Sequence, residues 1–151
     1  MKNFRLMLVA GAFGALLLSA CGSPADKLTF KAPPGWGEPK NIFGMAQIWT
    51  SSDGNSALML FKFPVQVDQN TAMQKSGFKD ATVKKKEQIR VCGNQPATHI
   101  AMTGTGSRRQ DVDMVMTNTL GSTYMTMYAR PVGAKPDAAA ESAIRSACAA
   151  K

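Results

Sequence analysis

Between residues 82 and 128 the chain divides into four extended runs cut by short turns rich in Gly, Asn and Ser, a pattern that restricts it to an antiparallel sheet. The runs cover 82–91, 97–103, 110–120 and 123–128, with Cys92-Gly93-Asn94-Gln95-Pro96, Gly104-Thr105-Gly106-Ser107 and Gly121-Ser122 between them. Side chains alternate along a strand, so Val112, Met114 and Met116 share one face, as do Met125 and Met127. Upstream, 45–50 and 56–63 read as two more strands, joined by Ser52-Asp53-Gly54-Asn55, where Gly and Asn tolerate positive φ. Leu58, Met59, Leu60 and Phe61 follow one another, which implies burial on both faces and cover on each side of the sheet. Asp68 can cap a helix over 69–76 with Gly77 as its stop. Pro136 and Asp137 open a last helix expected to run to about Ala149. The order of strands, helix, strand meander and helix predicts an α+β domain with an antiparallel sheet covered by helices.

The amino terminus has a different character. Lys2 and Arg5 precede an uncharged stretch, Leu6 to Leu18, of signal-peptide length and too short to span a bilayer comfortably. The stretch ends in Leu18-Ser19-Ala20-Cys21, which resembles the lipobox of bacterial lipoproteins. That resemblance implies removal of residues 1–20 and attachment of diacylglycerol to the Cys21 thiol. An ordinary secretory cleavage site is the competing reading, and Leu18 is large for its first small-residue position. Residues 21–27 then form the lipidated cysteine and a tether, and 28–151 a single domain. Each buried CH₂ of an acyl chain such as palmitate contributes ~0.8 kcal/mol, so two or three chains hold a protein on a membrane where one does not. No Asp directly follows Cys21, which favours the outer membrane under enterobacterial sorting, with the domain facing the periplasm.

Removal of 20 of the 151 residues leaves 131, enough for one real core. Loss of Lys2 and Arg5 lowers the formal charge from +8 to +6. A basic surface suits anionic lipid or an anionic envelope polymer, and it is also the ordinary solvated surface of a basic protein. Nucleic acid is not an expected partner outside the cytoplasm; the membrane and another envelope protein are. With Cys21 assigned to lipid, Cys92 and Cys148 remain, and an even pair in an oxidising compartment reads as a disulfide. A metal pair or a catalytic thiol is the alternative, and no nearby His supports either.

No catalytic constellation is visible, no cofactor is implied, and an enzyme is not expected. His99, the single histidine, alternates with Ile100 and Met102 and lies on the face of Ala97 and Ala101. Gly104-Thr105-Gly106-Ser107 has two glycines of a phosphate loop but is followed by Arg108-Arg109, so a turn is expected. Asp111 and Asp113 share a strand face, too few oxygens alone for a calcium site, and an exposed face is expected there. Tyr124, Thr126, Tyr128 and Arg130 share another face, where rings beside a cation could line a groove, burial under a helix being the equal competing reading; Tyr124, Tyr128 and Arg130 are the candidate ligand contacts. The alternative site is soft. Met102, Met114, Met116, Met125 and Met127 offer thioethers suited to Cu(I), although methionine at core-facing positions is also a flexible filler.

Phe30-Lys31-Ala32-Pro33-Pro34-Gly35-Trp36 resembles the opening motif of the PsbP-like family. Cys92-Gly93-Asn94-Gln95-Pro96-Ala97, residues 124–128 and the Ala-rich segment ending in Cys148 are similar to small secreted bacterial members. The resemblance spans most of the mature chain. It implies an α/β/α sandwich with a central antiparallel sheet flanked by helices. By analogy it also implies a non-enzymatic binding or accessory role, with no functional residue carried over one by one. A periplasmic soft-metal binding protein is the second expectation.

Overall fold

A computed structural model describes residues 24–78, 80–104 and 109–150. Seven strands occur in chain order: β1 Lys40–Ile42, β2 Ala46–Thr50, β3 Ala57–Phe63, β4 Thr82–Val91, β5 Gln95–Thr103, β6 Gln110–Thr119 and β7 Ser122–Pro131. Helix α1, Gln69–Lys75, lies between β3 and β4, and α2, Ala138–Ile144, follows β7. All strands join one sheet in the order β1-β2-β3-β7-β6-β5-β4, each pair antiparallel. The meander of β4 to β7 folds as its alternation requires, and β3 closes onto β7 with Ala57 opposite Ala129.

Both faces of the sheet are buried over its central strands, while the edge strands β1 and β4 are mostly exposed. On one, Trp49, Leu58, Leu60, Val115, Tyr124 and Tyr128 pack with Ala140, Ala143 and Ile144 of α2 and with Phe30 of the amino-terminal segment. On the other, the five methionines join Ile100 and Val112 beneath Ala72 and Met73 of α1. The α/β/α sandwich is overturned. Each helix has only seven residues, so neither forms a layer, and irregular chain covers much of the sheet. Leu28, Ala32 and Trp36 pack on one side, and Val67, Phe78 and Ala81 on the other. Each helix buries only two or three side chains, Ala72 and Met73 on α1 and Ala140, Ala143 and Ile144 on α2.

The caps form where their residue types place them. The Asp68 carboxylate accepts from Thr71 N–H at 3.0 Å, and Gly77 takes φ 85° past the C-cap. Asp137 caps α2 through Ala139 N–H at 2.8 Å. Helix α2 stops at Ile144, short of the expected Ala149. The following residues turn back to the amino-terminal segment instead: Thr29 N–H donates to Cys148 O at 2.8 Å, and Leu28 bridges Ala149. Cys148 is disulfide-bonded to Cys92 with Cα atoms 5.8 Å apart, which clamps this tail to the end of β4. Strand β1 has too little apolar pattern to be read from sequence, since all three of its residues are exposed.

Candidate functional site

Strand β7 turns Tyr124, Thr126, Tyr128 and Arg130 to the α2 side of the sheet. The first three are buried there, and Tyr124 lies within the core beneath Lys62, whose Nζ is 6.0 Å from its ring. Tyr128 and Arg130 reach a cleft of about 520 Å³ at the far end of β7, within the size range of small-ligand sites. Tyr124 does not line it.

The cleft is assembled from three turns. Pro33-Pro34-Gly35-Trp36 closes with Trp36 N–H donating to Pro33 O at 3.3 Å, and Gly35 takes φ 86°, as the third residue of a type II turn must. That turn sets the Trp36 ring edge-on to Tyr128, centroids 6.2 Å apart. The β2–β3 turn supplies Ser51, Ser52, Asn55 and Ser56, and is held by the Asp53 carboxylate, which accepts from Ser51 Oγ and Asn55 N–H. Those bonds, the Ser51 hydroxyl first, hold the Asp53 carboxyl below the usual range. The segment after β7 supplies Ala134, Lys135 and Asp137, and Asp137 N–H donates to the Tyr128 hydroxyl at 3.1 Å.

Behind the cleft runs a row of charges that crosses four strands. Lys85 meets Glu87 at 2.8 Å, and Glu87 meets His99 Nδ1 at 2.9 Å. His99 Nε2 lies 3.1 Å from Asp113, and Arg130 Nη1 donates to Asp113 at 2.6 Å. The guanidinium also stacks over the Tyr128 ring, its carbon 5.2 Å from the centroid. Arg130 Nε is buried and has no hydrogen-bond partner in the protein. The Lys85 hydrogen bond, followed by that of His99, holds the Glu87 carboxyl below its ordinary value. Beside this row, Asp111 accepts from Gly133 N–H, Lys84 and Thr103, and the Gly133 bond leads in driving its pKa well down.

Asp111 and Asp113 are therefore not a bare exposed face: both meet cations, and Asp113 is buried. His99 is buried with both ring nitrogens facing carboxylates, so neither is open to a substrate proton. The row positions Arg130. Glu87, His99 and Asp113 were invisible as a group in sequence because pairing register, not spacing, aligns them. Alternation alone puts each on one face of its own strand.

The remaining candidates lie elsewhere. Met102, Met114, Met125 and Met127 are core atoms with almost no exposure, while Met116 reaches the wall of a second cleft, of about 450 Å³, beside Gln69 and Gln88. Among the described residues no three His, Cys, Asp or Glu side chains converge as a metal site. Cys21 and most of Gly104-Thr105-Gly106-Ser107 lie outside the described residues. No described helix is long and apolar enough to cross a membrane.

No family model matches the chain, and no curated protein matches it in sequence. A solved structure does. The chain superposes on the solution structure of cyanobacterial PsbP (CyanoP) from Synechocystis sp. PCC 6803 with a TM-score of 0.53, over 71% of this chain and 76% of that one, at 13% identity. The fold is PsbP-like. A Pseudomonas aeruginosa protein of unknown function, PA94, matches with a TM-score of 0.43 over 66% of this chain and 74% of that one, at 14% identity. At such identities the PsbP-like likeness concerns the fold, and the site must be argued from this chain's own residues.

Proposed function

We propose that this PsbP-like domain is a non-enzymatic binding module of the bacterial envelope, tethered by lipid on Cys21, and that it takes its ligand in the Trp36–Tyr128–Arg130 cleft. The observation that carries this reading is Arg130. Its guanidinium is fixed between an aromatic ring and a carboxylate at the wall of the cleft. A fixed guanidinium favours a planar anionic or strongly polar acceptor, because little entropy remains to be lost on binding. Lys135 adds a second cation to the lining, while Asp53 and Asp137 are engaged in their own turn and cap. The ligand class is thus an anionic group carried by another envelope component, polymer or protein, with an apolar part to meet Trp36.

Two measurements test the reading. Cys21→Ser is expected to release the protein from the membrane fraction; a variant that stays membrane-bound and unprocessed refutes the tether. A photoreactive residue at Asn55, on the cleft, is expected to give an envelope cross-link that Lys135→Glu abolishes and that the same probe at Lys75, on α1, does not give. Identical products from both positions refute the cleft.

A further inference from the structure

The two ends of the sheet differ in kind. The β1–β2 turn, the β6–β7 turn and the segment after β3 all lie at one end, because Ile42 pairs with Ala46, Thr119 with Ser122 and Phe63 with Thr123. This end carries Ile42, Phe43, Met45, Val65 and Leu120, all exposed, with Phe43 89% exposed. Phe43 and Leu120 each precede a glycine at a turn tip and adopt φ of 48° and 52°. Asn or Asp is the usual residue in that conformation, and a bulky side chain there is strained. Core packing does not explain the choice, since both side chains point into solvent. The amino-terminal segment emerges at the same end: Ala25 N–H donates to Gln47 Oε1 at 3.1 Å, on β2 beside the Phe43 tip. Cys21 precedes Pro24 by three residues, a span of at most about 10 Å. Opposite it, the Ser51–Ser56 turn and the end of β7 form the cleft.

We infer that this end is a membrane-contact surface, with Phe43, Met45, Val65 and Leu120 dipping into the bilayer that holds the lipid of Cys21. The inference rests on the tether proposed above. A short leash at the apolar end leaves the bilayer as the surface nearest these side chains, and their burial in it adds to the acyl chains. The ten-residue strand β7 then holds the cleft about 30 Å from the lipid, at ~3.3 Å per residue, facing away from it.

The full-length protein, processed in its host and purified, is reconstituted in phosphatidylethanolamine–phosphatidylglycerol vesicles with brominated acyl chains. Three variants, Phe43→Trp, Leu120→Trp and Val132→Trp, are compared by fluorescence against the constant background of Trp36 and Trp49. The expected result is that the added tryptophan at 43 and at 120 loses most of its emission, while that at 132, at the cleft end, keeps it. Protein that sediments with the vesicles while all three tryptophans stay bright overturns the contact surface and leaves the tether standing. So does a dimer of the Cys21→Ser protein in lipid- and detergent-free buffer that Phe43→Ser dissociates, which makes the occupant a second copy of the chain. Protein that stays in the supernatant overturns the tether, and the contact surface with it. Because Leu120 lies on a separate turn, a folding defect in the Phe43 variant does not remove the test.

Discussion

Arg130 shows how much a single side chain depends on its neighbours. Its ion pair with Asp113 is almost wholly buried, with side-chain exposures of 12% and 11%. Removal of one partner leaves the other charge in a low-dielectric setting. Arg130→Met is expected to destabilise the domain by on the order of 3 kcal/mol in denaturant titrations, whereas the paired change Arg130→Met with Asp113→Leu restores much of that loss. The carboxylates behind and beside the cleft also set an acid limit. Asp111 and Glu87 have folded-state pKa values below those of the unfolded chain, so they stabilise the fold above the ordinary carboxylate range near 4. That contribution is lost as pH falls below about 4, through their depressed folded values. The urea midpoint is expected to drop below pH 4, and to drop less steeply in Asp111→Asn; equal slopes would contradict the assignment. On the other face, Met127 has no exposure, and Met127→Ala is expected to cost about 2–5 kcal/mol through lost burial and a cavity.

Elements were legible in proportion to how local their causes are. Helix α1 follows from the Asp68 cap and the Gly77 stop, and the β2–β3 hairpin from Asp53-Gly54-Asn55. Strand β4 matches its polar run residue for residue, because turns at both ends bound it. Helix α2 did not follow the pattern to its end. Helical spacing in the tail was real, but the Cys92–Cys148 bond and the bridge to Leu28 offered its backbone other partners. The disulfide closes a sequence separation of 56 residues, and in the chain-entropy model contributes ~4 kcal/mol. Reduction is expected to lower the thermal midpoint and to expose the tail between Ile144 and Ala150 to hydrogen exchange before the meander; uniform loss of protection would argue against a local clamp.

At the scale of the molecule, the decisive pairing is β3 with β7, which joins segments far apart in the chain and converts a three-stranded and a four-stranded meander into one sheet. Such non-local contacts slow folding, so refolding with the disulfide intact is expected on the millisecond-to-second scale, followed by Trp49 fluorescence. Alternation, the apolar run at 58–61 and the capping aspartates by themselves determined the strand meander, the two-sided core and the caps, because each rests on residues within a few positions of one another. Only the tertiary structure decided which face met which. It put seven-residue helices and irregular chain where helical layers were expected, drew Glu87, His99 and Asp113 into line behind Arg130, and gathered Phe43 and Leu120 at the end of the sheet where Ala25 meets Gln47. Those outcomes depend on register across strands distant in the chain, and no local spacing encodes register between partners that have not yet met.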